Sequence, residues 1–136
     1  MKMAINVFLF IVLMAAPRAF AQSFIIEGND GSKLQATALE VFNNAWAMTF
    51  LPDGRALVTE KSGEIWLLSQ SGKKLAQLTQ TPTVTMRGQG GMGDIILADD
   101  FATSGLVYLS YVERDAKDDS LSGAVVERAK LNLSAE

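Results

Sequence analysis

The chain has 136 residues, 49% of them apolar and 20% charged, with no cysteine, no histidine and a formal net charge of -3. That length fits one domain at most, and the missing residue types exclude a disulfide framework, a thiol nucleophile, a Cys-ligated zinc site, a Ser-His-Asp triad and a histidine general base. With 12 basic against 15 acidic side chains there is no electrostatic case for a nucleic-acid partner.

Lys2 precedes an apolar run from Val7 to Ala16, which is followed by Pro17 and by Ala19-Phe20-Ala21. A basic start, an apolar middle and a small-residue site make residues 1–21 a secretory signal peptide, cleaved after Ala21. A membrane-spanning helix competes with this reading, but the unbroken apolar run is shorter than the roughly 20 residues needed to cross a bilayer. The expected product is periplasmic or secreted, starts at Gln22 and has no membrane span. Losing Lys2 and Arg18 leaves 10 basic against 15 acidic side chains, a net charge of -5.

From Ala45 onward, short apolar segments alternate with turn dipeptides. The spacing predicts a strand over Ala45 to Leu51, ended by Pro52-Asp53-Gly54, where Pro presets φ and Gly accepts the positive φ that closes the turn. A second strand runs from Ala56 to Glu60, with Leu57 and Thr59 on one side and Ala56 and Val58 on the other. Ser62-Gly63 turns the chain into Glu64 to Ser69, which is too short for a typical helix and is bounded by turn signals. After Ser71-Gly72, Leu75 to Thr79 forms a more polar strand suited to an outer edge. Four antiparallel strands in about 35 residues make a sheet that must bury a face against something else.

The pattern then restarts. Met92 to Leu97 is apolar with a polar break at Gly93-Asp94. Leu106 to Val112 alternates, with Leu106, Tyr108 and Ser110 set against Val107, Leu109 and Tyr111, and Ala124 to Leu133 makes a third strand. Between these last two lies the charged, loop-like stretch Glu113 to Ser122. A four-strand unit repeated at a spacing near 45 residues matches the period of a β-propeller blade, about 40 to 45 residues.

Gly88-Gln89-Gly90-Gly91-Met92-Gly93 matches G-x-G-x-x-G through Gly88, Gly90 and Gly93. A dinucleotide site would need a strand before it, for which Thr83 to Met86 is the candidate, an acidic residue near Glu113 and a following helix. Asp94 to Phe101 leaves that helix only two turns. Two other readings stand: a loop whose glycines permit tight backbone geometry, and a loop that lets backbone approach a ligand, with the Gln89 amide as donor and acceptor toward a hydroxyl-rich ligand such as a sugar. The acidic residues Asp94, Asp99, Asp100, Asp115, Asp118 and Asp119 do not make an EF-hand, because Ser120 and Val126 stand where Gly and Glu are needed, and a solvated loop is expected. Asn132-Leu133-Ser134 fits the N-glycosylation pattern, which matters only in a eukaryotic secretory route. Trp46 and Trp66 are expected in the core of neighbouring strands.

Two strings together resemble the soluble PQQ-dependent glucose/sorbosone dehydrogenases. The first, Trp46-Ala47-Met48-Thr49-Phe50-Leu51-Pro52-Asp53-Gly54-Arg55 with Leu57-Val58-Thr59-Glu60-Lys61 and Ser62-Gly63-Glu64-Ile65, is similar to the first blade of that family. The second, Arg87 to Asp94 followed by Asp100-Phe101 and Gly105-Leu106-Val107-Tyr108-Leu109-Ser110-Tyr111, is similar to the start of the second blade in its aldose sugar dehydrogenase branch. The chain departs from the family pattern at Ala45, where a Pro is usual, and at Ala98-Asp99, where His-Pro is usual.

The resemblance implies an all-β chain, a fragment of a six-bladed β-propeller holding the first blade and most of the second. Residues 22–44 are then expected to pair with the missing last blade, and residues 45–136 to form the incomplete propeller domain. It also implies PQQ and calcium as cofactors and oxidation of aldoses at C1 to lactones, with an aldose and an electron acceptor as partners of a full-length protein. Gln89 matches a substrate-contacting glutamine of the family. The family's catalytic histidine, its PQQ-holding arginines and its calcium loop belong to later blades, so no catalytic, cofactor-binding or metal residue is assigned here, and the chain alone is expected to be inactive. The rival readings are a non-catalytic propeller-type module that binds a carbohydrate or a protein, and a short product that closes a ring with copies of itself.

Overall fold

The computed structural model describes residues 22–133, so the expected export signal at residues 1–21 and Ser134 of the glycosylation pattern lie outside the described residues. The chain divides into two compact units between Thr37 and Ala38. The first contains a hairpin of β1 (Ser23–Glu27) and β2 (Lys33–Thr37), paired antiparallel from Ser23 opposite Thr37 to Glu27 opposite Lys33. The strand-by-strand reading began only at Ala45, and for residues 22–44 the resemblance implied pairing with another blade, whereas β1 and β2 pair with each other. The sequence sign of this hairpin is Phe24-Ile25-Ile26 followed by Gly28-Asn29-Asp30-Gly31, where Gly31 takes φ +82° and Asp30 accepts the Ser32 N–H at 3.0 Å.

The second unit opens with a four-stranded meander: β3 (Ala45–Phe50), β4 (Ala56–Glu60), β5 (Ile65–Leu68) and β6 (Lys74–Gln77), adjacent in that order. One turn geometry repeats through it. The N–H groups of Gly54, Gly63 and Gly72 donate to the carbonyls of Leu51, Glu60 and Ser69 at 2.9 Å, and these glycines take φ of +83°, +109° and +78°. A turn followed by a left-handed glycine matches the right-handed twist of the strands it joins. The polar β6 occupies the sheet's edge, as its composition predicted.

A three-stranded sheet follows, made of β7 (Met92–Leu97), β8 (Leu106–Arg114) and β9 (Ser122–Lys130) in that order. The loop between β8 and β9 is shorter than its charge predicted, because pairing continues to Arg114 opposite Ser122. A single helical turn, α1 (Phe101–Ser104), joins β7 to β8 and ends at Gly105, φ +66°. At the family departure, Ala98 donates its N–H to Leu106 O at 3.0 Å and accepts the Phe101 N–H at 2.9 Å. Alanine therefore keeps a closed turn there.

The two sheets face each other across the main core. Leu51, Leu57, Ile65 and Leu67 from the first sheet and its turn pack with Met92, Ile95, Val107, Leu109 and Tyr111 from the second. Thr59, fully buried, crosses the gap: its hydroxyl donates to Gly93 O at 2.8 Å and accepts the Ala47 N–H at 3.1 Å. One side chain thus satisfies half-buried backbone groups on both β3 and β7. The alternation read along β4 holds, with Leu57 on this face and Ala56 and Val58 on the other, where they pack with Leu68, Phe42 and Trp66. Side-by-side antiparallel meanders of this kind are the arrangement of consecutive propeller blades.

Residues 39–44 run along that other face and are tied down by β6. Glu40 accepts the Lys74 N–H at 3.2 Å, which is the main cause of its lowered pKa, and Lys74 Nζ donates to Val41 O at 2.8 Å. The same ammonium lies 4.4 Å from the ring centroids of both Phe42 and Trp66. Only one tryptophan is placed as expected. Trp66 packs against the smaller cluster, its Nε1 buried without a hydrogen-bond partner among the described residues, but Trp46 is 54% exposed. Trp46 shares the exposed side of β3 with Met48 and Phe50, and it sits at a bulge where the register of β3 against β4 slips between Ala45 and Ala47.

In the core, Tyr111 donates its phenolic hydrogen to Glu127 at 2.9 Å. Burial first, and then this carboxylate, raise the phenol's pKa. Below a pH of about 10 the group is protonated folded or unfolded and adds no pH dependence. Above it the unfolded phenol ionises while the folded one holds its proton, so stability falls as pH rises. Denaturant titrations between pH 8 and 11 should show this alkaline loss reduced in Tyr111→Phe, and an unchanged slope would refute the assignment.

Candidate functional site

The loop from Thr85 to Gly91 is built by its glycines and by two surrounding backbones. Buried Thr85 donates its N–H to Val112 O at 2.7 Å, and Val112 returns a bond to Gly91 O at 2.9 Å, which ties both ends of the loop to β8. Between them the chain reverses: Gly90 N–H donates to Arg87 O at 2.8 Å, with Gly88 in the left-handed region at φ +55°. Gln89 stands at the tip of this reversal and is exposed. No described residue hydrogen-bonds its amide, which leaves two donors and an acceptor for a ligand.

The second backbone comes from the turn after β4. Lys61 O accepts the Met92 N–H at 2.9 Å, and Lys61 Nζ donates to Gly88 O at 2.9 Å. Behind it, Lys61 N–H donates to Asn44 O at 3.0 Å and the buried Glu60 carboxylate accepts the Asn44 N–H at 3.2 Å. Gly91, at φ +112°, lies so close to Lys61 that an added Cβ would meet its Cγ at 2.7 Å and its carbonyl oxygen closer still.

This geometry disposes of the dinucleotide reading. Residues 83–86 form no strand, and the glycines lead into β7 where a helix would have to begin. The polar break at Gly93-Asp94 is a bulge: the register slips between Met92 and Ile95, Ser110 Oγ accepts the Asp94 N–H at 2.8 Å, and a Cβ on Gly93 would lie 2.7 Å from that hydroxyl.

The acidic residues serve the backbone. Asp115 accepts the N–H groups of Lys117 and Asp118 at 2.8 and 3.0 Å, Asp118 accepts that of Ser120 at 2.9 Å, and Asp100 accepts the Ser104 hydroxyl at 3.0 Å. The Ser120 hydroxyl, which donates to Asp118 at 2.6 Å, and then the Ser120 N–H hold the Asp118 carboxyl below its ordinary pKa. Among the described residues no three His, Cys, Asp or Glu side chains come together as metal ligands, so they do not fit a calcium site.

Of the residues singled out in the sequence, Gln89 is therefore on an open loop with a free amide. Sequence reasoning did not identify Glu60, Lys61 and Asn44 as supports of that loop. Their one sequence sign is the pair Glu60-Lys61 opening a turn directly after a strand buried along its whole length.

Residues 42–136 match the family model for glucose/sorbosone dehydrogenase. Over 94 residues the chain is 42% identical to the aldose sugar dehydrogenase YliI of Escherichia coli, an alignment covering 66% of this chain and 24% of that protein. Among solved structures, the soluble aldose sugar dehydrogenase of Escherichia coli in its apo form superposes with a TM-score of 0.60 at 36% identity, covering 66% of this chain and 26% of that one. A glucose dehydrogenase superposes with a TM-score of 0.61 at 32% identity, covering 66% and 28%. The PQQ-bound aldose sugar dehydrogenase of Streptomyces coelicolor, with a TM-score of 0.52 at 24% identity, covers 84% of this chain and 36% of that one and shares the fold. The chain thus spans about a quarter of the length of the curated relative it matches. The four-stranded and three-stranded sheets of its second unit are propeller blades, and the chain belongs to the glucose/sorbosone dehydrogenase family.

Proposed function

We propose that this chain is the exported N-terminal part of a periplasmic or secreted PQQ- and calcium-dependent aldose dehydrogenase, which oxidises an aldose at C1 to the lactone and passes electrons to an external acceptor. PQQ, when bound, supplies the electron sink for that oxidation. The contribution of this chain is one wall of the sugar site, the Gln89 loop. Its exposed, unpaired amide on a backbone fastened to both sheets carries the reading, because such a group can bind hydroxyls without first breaking an internal bond. Apolar residues exposed on the outward sheet faces, among them Met48 and Phe50 on β3 and Ile96 and Tyr108 on the second sheet, support neighbouring blades on both sides.

In the complete enzyme loaded with PQQ and calcium, Gln89→Ala should lower kcat/KM for glucose about three- to tenfold, the worth of one or two neutral hydrogen bonds. Unchanged kinetics would remove Gln89 from the site. The chain by itself should show no dye reduction with PQQ, calcium and glucose, and turnover would overturn its inactivity alone. Sugar binding without turnover by the complete protein would favour a non-catalytic binding module.

A further inference from the structure

We propose that Lys61 is the positioning residue of the Gln89 loop, a role that rests on the reading of Gln89 as a sugar contact. Gly88 and Gly91 give the loop the conformational range that a close approach needs, and by themselves they leave Gln89 free to sample many positions. Lys61 removes that freedom at two points. Its carbonyl holds the Met92 N–H at 2.9 Å on one side of the tip, and its ammonium holds Gly88 O at 2.9 Å on the other. The two contacts differ in kind. The backbone contact follows from packing β4 against β7 and would survive any substitution at position 61, whereas the contact at Gly88 depends on a long side chain ending in a cationic donor.

Lys61 is itself anchored. Its N–H donates to Asn44 O, and the neighbouring buried Glu60 carboxylate accepts the Asn44 N–H, so the turn is fixed to the segment before β3. The ammonium therefore reaches Gly88 from a rigid base. Ordering the loop before the sugar arrives lowers the conformational entropy lost on binding. Lysine at this position sets how well Gln89 is presented without touching the sugar.

The test compares Lys61→Met, which keeps the apolar stem and removes the donors, with Lys61→Arg, which restores a cationic donor. In the full chain, amide hydrogen exchange at Gly90, whose N–H closes the loop's reversal, should quicken about three- to tenfold in Lys61→Met, as one hydrogen bond lost from a local opening would produce. Exchange at Leu57 and Ile95 in the core should stay unchanged, which separates loop release from unfolding. In the complete enzyme, a glucose titration followed at the Gln89 side-chain amide should show affinity weakened by a similar factor in Lys61→Met and recovered in Lys61→Arg. Unchanged Gly90 exchange in Lys61→Met, or no recovery in Lys61→Arg, overturns the proposal. A Gln89 amide that ignores glucose in the unsubstituted protein overturns the sugar-site reading alone, since the exchange comparison involves no sugar.

Discussion

Gly91→Ala is expected to destabilise the second unit by about 2–5 kcal/mol, the sum of a left-handed backbone forced on a residue with a Cβ and an overpacked contact. Both terms come from one place. At φ +112° the Cβ would point at the Lys61 backbone, and that backbone cannot retreat, because its carbonyl accepts the Met92 N–H and its N–H donates to Asn44 O. For a domain of about 100 residues, such a loss lowers the melting temperature by at least 8 °C or so. Gly88→Ala is the matched control. Gly88 also has a positive φ, +55°, but nothing lies within 4 Å of an added Cβ, so only the backbone strain of about 1–2 kcal/mol remains. Thermal melts followed by circular dichroism measure both, and equal losses would show that the approach of Gly91 to Lys61 is not a structural constraint.

The other large effect is expected at Leu57. Its side chain is fully buried in the cluster shared by the two sheets, so Leu57→Ala removes contacts to both at once and should cost about 2–5 kcal/mol. The form of the transition carries as much information as its midpoint. If the shared core and the Thr59 bridge to Gly93 join the sheets into one cooperative unit, tryptophan fluorescence, which reports on the first sheet, and amide exchange at Leu109 in the second should lose stability together. Val126→Ala, on the outward face of β9 and 76% exposed, should stay within about 0.5 kcal/mol of the parent. Separate transitions for the two sheets would mean that the shared cluster does not couple them.

The strands from Ala45 onward were legible because their signals are local. A glycine in the left-handed region closes a turn wherever it lies, and Gly54, Gly63 and Gly72 mark three turns at equal spacing. Alternation told which residues of β4 and β8 share a face, since successive side chains of a strand point oppositely whatever the sheet packs against. The expected placement of Trp46 failed because Trp46, Met48 and Phe50 alternate together onto one side of β3, all three apolar, and only the packing of the second sheet shows that this side is the exposed one. The bulge between Ala45 and Ala47 likewise carries no mark in the sequence around it. Gly93-Asp94 did carry a mark, a polar break in an apolar run, but the reading did not extend to a bulge stapled by Ser110, sixteen residues on from Asp94.

The candidate site divides in the same way. Gln89 could be found from a glycine cluster and a family resemblance, and the exposed tip of a glycine turn is where such a residue is expected. Nothing local singled out Lys61, which sits in the chain 27 residues before the carbonyl it holds. By itself the sequence determined an all-β chain, the order and turns of its strands from Ala45 onward, its family and the loop that bears Gln89, because backbone preference, side-chain alternation and motif spacing act over a few residues. Only the tertiary structure decided that Leu57 and Thr59 face a second sheet, that Gly91 admits no side chain and that Lys61 grips the Gln89 loop. Those outcomes depend on where a distant backbone arrives after every twist and bulge between has been made, and no short stretch of sequence encodes that sum.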